Sequence, residues 1–173
     1  MSDDPDRRTF LKVATCGLGG ALGIAAAAPA ISLVLEPVSR QTVTTPKDPI
    51  DIGDATSAEA WKTWQKVDVI APQISDGWTT VRNTILGAAF VRNSAQGFQA
   101  LSGICPHLGC AVSLQTNGAF GCPCHNSIFS PDGDAQKGPS KRGLDPLPIE
   151  IKDGRLRLTW LRYKLDTGSR EPA

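Results

Sequence analysis

The chain has 173 residues and a formal net charge of +1, with 20% charged and 40% hydrophobic residues. This length suits a single globular domain, since domains most often contain about 100–150 residues. The balanced charge lacks the basic excess typical of nucleic-acid-binding proteins, so we expect no nucleic-acid partner.

The N-terminus carries an export motif. Residues 7–12 are Arg-Arg-Thr-Phe-Leu-Lys, which matches the twin-arginine pattern R-R-x-F-L-K. We therefore predict that residues 1–12 are a cytoplasmic N-terminus with a twin-arginine signal.

An uncharged segment follows from residue 13 to residue 35. A helix needs about 20 apolar residues to span a bilayer, so we predict a single transmembrane anchor over 13–35. Basic residues are concentrated before this segment, which favours a cytoplasmic N-terminus and an external C-terminal domain. Ala28-Pro29-Ala30 resembles a signal-peptide cleavage site, so removal of the segment is the alternative to its retention.

Residues 36–47 are rich in threonine and proline and predict a flexible hinge linker. The remainder, 48–173, predicts an all-β domain, because short apolar or alternating runs are separated by Gly, Pro, Asn and Asp. Trp61 and Trp64 are predicted to pack in the core from a short helix. Asp153-Gly154 predicts a hairpin turn. The predicted strands are 66–70, 88–92, 98–102, 119–122, 149–152 and 155–160.

The cysteines and histidines are strongly clustered. Four of the five cysteines and both histidines lie between residues 105 and 125. The first group, 105–110, is Cys-Pro-His-Leu-Gly-Cys, and the second, 122–125, is Cys-Pro-Cys-His. Two cysteines and two histidines in split pairs can form a four-ligand metal site, and two cysteines remain.

Three other kinds of site also use cysteine, but each leaves part of this pattern without a role. A structural zinc site needs no further thiols, and a plain disulfide scaffold does not need the histidines. An all-cysteine iron–sulfur cluster leaves both histidines without a role.

The patterns C-x-H-x-G-C and C-P-C-H-x-S resemble the two cluster-binding boxes of the Rieske iron–sulfur proteins. The resemblance implies a [2Fe–2S] cluster with two cysteines on the inner iron and two histidines on the outer iron. The inner ligands are then Cys105 and Cys122, and the outer ligands are His107 and His125.

The branch of this family with two additional cysteines has a disulfide, which implies a Cys110–Cys124 bridge and an oxidising compartment. Ser127 lies where the family has a hydroxyl that donates to a cluster sulfur. Phe129 replaces a second hydroxyl donor, a tyrosine, and Asn126 replaces the usual glycine of the second box. These two departures favour a moderate or low reduction potential.

Residues 138–142 and the following Leu147-Pro148 resemble the family's proline loop, which covers the cluster from a third side. The family fold implies a cluster-binding subdomain inserted between the strands of an antiparallel β base.

The whole pattern resembles the Rieske subunit of a bacterial cytochrome bc-type complex, the quinol–cytochrome c reductase. The resemblance implies an oxidoreductase subunit anchored in the bacterial inner membrane with its C-terminal domain on the periplasmic side. The implied partners are a cytochrome b subunit, a c-type cytochrome, quinol and the lipid bilayer, within a dimeric complex. His125 is then the residue that hydrogen-bonds quinol and accepts its proton, and Leu108 is the docking tip.

Two other classes of Rieske protein share parts of this pattern. The small subunit of arsenite oxidase is the alternative that Phe129 and the cleavage-like sequence favour. The soluble ferredoxin component of a ring-hydroxylating oxygenase lacks the disulfide pair and the export signal, so Cys110 and Cys124 argue against it.

Overall fold

The computed structural model describes residues 5–39, 46, 48–76 and 78–173. The chain divides into two compact units, one comprising residues 1–42 with 75–79 and the other residues 43–74 with 80–173. Most of the predicted hinge, residues 40–45 and 47, lies outside the described residues, so the hinge stays a prediction.

The first unit contains a long helix, α1 (Pro5–Ser39). Within the described residues, its segment Asp6–Leu35 is the one stretch that is long and apolar enough to cross a membrane, and none of it is buried. Thirty residues of helix extend about 45 Å, more than the hydrocarbon core of about 30 Å. The helix therefore suggests a single-pass membrane anchor; an N-terminal signal sequence also meets these criteria of length and hydropathy.

From residue 50 onward, the described part of the chain contains one short helix and strands of 2 to 15 residues. They are β1 (Ile50–Asp54), α2 (Ala55–Ala58), β2 (Gln65–Ser75), β3 (Thr80–Ser94), β4 (Gly97–Ser102), β5 (Ser113–Leu114), β6 (Phe120–Cys122), β7 (Ser127–Phe129), β8 (Ala135–Lys137), β9 (Ile149–Lys152) and β10 (Arg155–Leu158). The described strands form three sheets, with the orders β1-β10-β9, β2-β3-β4 and β5-β6-β7-β8. The predicted all-β fold with antiparallel sheets is confirmed.

The first two sheets form the base of the domain. Strand β10 shows why they pack together, because Leu156 and Leu158 point inward and are fully buried while Arg155 is exposed. This alternation follows from the two-residue period of a strand. The same core contains Trp160 and the buried valines Val69 and Val91.

The turn between β9 and β10 lies at the predicted hairpin. Asp153 and Gly154 have φ values of +53° and +71°, in the left-handed region that both central residues of a type I′ turn require. The predicted hairpin is therefore confirmed.

The third sheet is a small subdomain inserted between β4 and β9, as expected. Phe120 and Phe129 pair across β6 and β7, and both are fully buried. The ring of Phe120 also lies 4.9 Å from the ring of Phe90 on β3 and 5.7 Å from that of Trp64. These aromatic contacts join the subdomain to the base.

Each predicted strand coincides with all or part of an observed strand, but β1, β5, β7 and β8 were not predicted. The predicted helix around the two tryptophans is wrong, because α2 ends at Ala58, before both of them. Helix α2 instead begins at Ala55, and the carboxylate of its N-cap residue Asp54 accepts the Ser57 N–H at 2.8 Å. The predicted packing role is confirmed for both tryptophans, since Trp64 is buried and Trp61 is partly buried against the core of the base.

Candidate metal centre

The first cysteine–histidine group lies on loop 1, residues 103–112, between β4 and β5. The loop is closed by main-chain hydrogen bonds from the Cys105 N–H to the Cys110 carbonyl at 2.8 Å and from the Gly109 N–H to the Cys105 carbonyl at 3.0 Å. Gly109 has a φ of +81°, a conformation that glycine adopts without steric cost. This closure leaves Leu108 at the crest of the loop with 57% of its surface exposed.

The second group lies on loop 2, residues 123–126, which connects β6 and β7. The register pairs Cys122 with Ser127, so these two residues flank the loop. Asn126 has a φ of +55°. Among residues with a side chain, asparagine is one of those that best tolerates the left-handed region, so it can replace the expected glycine without opening the turn.

A disulfide joins the two loops. Cys110 and Cys124 are bonded, with Cα atoms 6.6 Å apart, so the predicted pairing is confirmed. The Cys122 sulfur lies within 4.8 Å of both disulfide sulfurs. The covalent link therefore lies directly beside the thiols of the site.

Two free thiols of the site are buried, one in loop 1 and the other at the end of β6. Cys105 is 1% exposed and Cys122 is 4% exposed. Burial raises the pKa of the Cys105 thiol, and the neighbouring Cys122 adds to the increase, while the nearby His107 backbone N–H and Ser127 hydroxyl oppose it. Two adjacent buried thiols become thiolates readily when a metal ion is bound to them.

The two imidazoles lie together on the outer side. The ring centroids of His107 and His125 are 4.8 Å apart, with the ring planes at 87° to each other. His125 is exposed and His107 is half-buried. The site therefore has buried sulfur donors inside and accessible nitrogen donors outside.

The Ser127 hydroxyl tests whether an iron–sulfur cluster fits this arrangement. Ser127 is only 1% exposed, and its Oγ has no hydrogen-bond partner of acceptable geometry among the described residues. A buried hydroxyl without a partner is unfavourable unless a bound group satisfies it. The sulfurs of a [2Fe–2S] cluster are such acceptors, so the residues present fit this group.

A third loop, residues 138–146, packs against loop 2. Gly138 has a φ of +98°, and a Cβ built on it lies only 2.5 Å from the Ser127 Cα. Only glycine permits this close approach. The predicted cover of the cluster by this loop from a third side stays a prediction.

Sequence reasoning missed one contribution to the site. The Asp166 N–H, near the C-terminus, donates to the carbonyl of Pro106 in loop 1 at 2.9 Å. A main-chain contact of this kind has no sequence signature.

Comparison with known proteins agrees with this geometry. A family model described as the Rieske [2Fe-2S] domain matches residues 63–148. The chain is 30% identical over 167 residues to the menaquinol:cytochrome c reductase iron-sulfur subunit of Geobacillus thermodenitrificans, covering 91% of this chain and 95% of the relative. It is 31% identical over 160 residues to the subunit of the same name from Bacillus subtilis (strain 168), covering 90% and 92%.

A solved structure of a Rieske protein is also among the matches. The crystal structure of the plasma membrane Rieske protein PetC3 from Synechocystis PCC 6803 is 22% identical to this chain, with a TM-score of 0.44. The match covers 63% of this chain and 97% of that protein.

Proposed function

Because this chain belongs to the Rieske [2Fe–2S] protein family, we propose that it transfers electrons from quinol to a c-type cytochrome as the iron–sulfur subunit of a quinol–cytochrome c reductase. The observation that carries the proposal is the pair of accessible imidazoles, His107 and His125, lying outside the two buried free thiols. The similarity over nearly the whole chain to two menaquinol:cytochrome c reductase subunits supports it.

The proposed ligands are Cys105 and Cys122 for the inner iron, and His107 and His125 for the outer iron. When bound, the cluster supplies reversible one-electron chemistry, at a potential that its mixed ligands raise above that of an all-cysteine cluster. The chain itself places the thiolates away from water and leaves the imidazoles accessible to a partner.

His125 is the proposed contact with quinol. Its side chain is exposed, so its outer ring nitrogen can accept a hydrogen bond from a quinol hydroxyl and take the proton as the electron leaves. Leu108 is 57% exposed at the crest of loop 1 and supplies an apolar contact for docking on a cytochrome b subunit. Electron and proton thus leave the quinol at the same surface of the domain.

Menaquinol is the proposed donor. Phe129 is fully buried on β7 and offers no hydroxyl to the cluster, so one hydrogen bond that raises the potential is missing. A lower potential suits the more strongly reducing menaquinol, which is also the donor named for the two curated relatives.

The proposed topology places the domain outside the cytoplasm of a bacterial cell, anchored by α1 in the inner membrane. The twin-arginine pattern and the Cys110–Cys124 disulfide support this side, since disulfides persist in oxidising compartments. The 36–47 linker is the proposed hinge, and the complex is proposed to be a dimer.

A redox titration followed by EPR tests the proposal. Membranes containing the full-length chain are reduced stepwise at several pH values. We expect a rhombic Rieske-type spectrum, a midpoint potential that decreases as pH rises, and co-purification with haem. An all-cysteine ferredoxin spectrum, a zinc-containing colourless protein, or co-purification with molybdenum in place of haem contradicts it.

A further inference from the structure

The last residues of the chain, 162–173, fold into a C-terminal hairpin. The Lys164 N–H donates to the Glu171 carbonyl at 2.8 Å, and the Ala173 N–H donates to the Arg162 carbonyl at 2.9 Å. The Lys164 ammonium also pairs with the Glu171 carboxylate at 2.9 Å. The turn of this hairpin, residues 166–169, is therefore held in place from both of its arms.

This turn is fastened to the third loop. The buried Arg142 guanidinium donates to the Thr167 carbonyl at 2.7 Å while it forms a bidentate pair with Asp145. The Lys141 ammonium donates to the Asp166 carbonyl at 3.0 Å and pairs with its carboxylate at 3.1 Å. Because the bidentate pair with Asp145 is buried, it fixes the orientation of the Arg142 guanidinium, which in turn holds the Thr167 carbonyl.

The turn also contacts loop 1 at one peptide unit. The Asp166 N–H donates to the Pro106 carbonyl at 2.9 Å. The N–H at the other end of that same peptide unit belongs to His107, and this N–H lowers the pKa of the neighbouring Cys105 thiol. A peptide unit is planar and its C=O and N–H point in opposite directions, so fixing the carbonyl fixes the direction of the N–H.

We propose that the C-terminal hairpin is a positioning element for the cluster, in which the Asp166 N–H orients the Pro106–His107 peptide so that its N–H is aimed at the Cys105 sulfur. This inference rests on the proposed role of Cys105 as a cluster ligand. A hydrogen bond to a cluster sulfur stabilises the reduced, more negative state, and therefore raises the potential. The hairpin thus sets part of the reduction potential without contacting the ligands' side chains.

The test compares two substitutions at one position. Asp166 has a φ of +54°. Asp166→Gly keeps the N–H and favours this φ, whereas Asp166→Pro removes the N–H and cannot adopt it. We expect Asp166→Pro to lower the midpoint potential by about 30 mV, a threefold change in the one-electron equilibrium at 59 mV per tenfold, with Asp166→Gly closer to the wild type.

The measurement is an EPR-monitored redox titration of the full-length, cluster-containing protein, with thermal unfolding measured alongside. A purely structural role of the hairpin predicts a lower melting temperature for Asp166→Pro with an unchanged potential, and that result overturns the inference. Failure of the proposed function can be told apart from failure of this inference, because in the former case the wild-type protein itself lacks the Rieske spectrum.

A second variant decides the question if Asp166→Pro does not fold. Lys141 is 55% exposed, so Lys141→Gln loosens the turn without disturbing the core. We expect a smaller decrease in potential and faster hydrogen exchange at the His107 amide. An unchanged potential together with an unchanged exchange rate at His107 contradicts the positioning role.

Discussion

Cys122 and Ser127 lie directly opposite each other in the antiparallel pair of β6 and β7. Directly opposite residues place their side chains on the same face of the sheet, so the Ser127 hydroxyl and the Cys122 thiol share the buried face under loop 2. Because the loop between them has only the residues 123–126, its disulfide cysteine and its histidine are held close above that face. The strand register therefore determines where the Cys122 thiol, the Ser127 hydroxyl and the His125 imidazole lie relative to one another.

This arrangement predicts the effect of removing the hydroxyl. Ser127→Ala deletes a donor that has no hydrogen-bond partner among the described residues, so we expect little change in folding stability. Loss of a hydrogen bond to a charged acceptor, about 1.5 kcal/mol, corresponds to a decrease in the midpoint potential of about 60 mV. A redox titration by EPR measures the shift.

The control is Ser113→Ala on β5, where the serine is exposed and pairs with Gly121 of β6. It is expected to keep the wild-type potential. A potential of Ser127→Ala that equals that of Ser113→Ala contradicts the role of the Ser127 hydroxyl.

A second prediction concerns the close approach of the third loop to loop 2. At Gly138, φ is +98° and a Cβ lies 2.5 Å from the Ser127 Cα, whereas at Gly154 φ is +71° with no atom within 4 Å of a Cβ. Gly154→Ala therefore measures the cost of the left-handed backbone alone, about 1 kcal/mol. Gly138→Ala adds a steric overlap and is expected to cost about 3 kcal/mol or more.

Urea unfolding of both variants provides the comparison. If Gly138→Ala and Gly154→Ala lose the same unfolding free energy, the expected steric overlap of residue 138 with Ser127 does not occur. We also expect Gly138→Ala, but not Gly154→Ala, to accelerate loss of the visible absorption of the cluster.

The sequence predicted the features of the fold and of the site that depend on local residue order. The hairpin at 153–154 and the Cys110–Cys124 disulfide were predicted correctly, whereas the assignment of the four cluster ligands stays a prediction. Strand β7 was missed because its three residues are too few to show alternation. The contact of Asp166 with Pro106 was missed because it joins main-chain atoms that are distant in sequence, and no side chain encodes it.

A third prediction follows from the ion pair between Asp51 and Arg155, which joins β1 and β10. Hydrogen bonds from the Arg155 guanidinium, helped by the Gly53 N–H, lower the pKa of the Asp51 carboxyl. A lowered folded-state pKa stabilises the fold above the unfolded value of about 3.9, and this contribution is lost as pH falls through the folded-state pKa.

Asp51→Asn is therefore expected to lower the unfolding free energy at pH 7 but not at pH values below the folded-state pKa. The effect is expected to be small, because the two side chains are 43% and 47% exposed. Urea unfolding midpoints of wild type and variant across this pH range measure it. A difference that is constant with pH contradicts the assignment.

The last prediction concerns the disulfide. Cys110 and Cys124 are 14 residues apart, and a cross-link of this span stabilises the folded state by about 3 kcal/mol in the chain-entropy description. The double variant Cys110→Ser with Cys124→Ser is expected to lose about this amount and to release its cluster faster, because nothing covalent then holds loops 1 and 2 together. Cys16→Ser removes an exposed free cysteine in α1 and serves as the control. Urea unfolding and the decay of the visible absorption measure both effects, and a double variant that matches Cys16→Ser in both contradicts the role of the bridge.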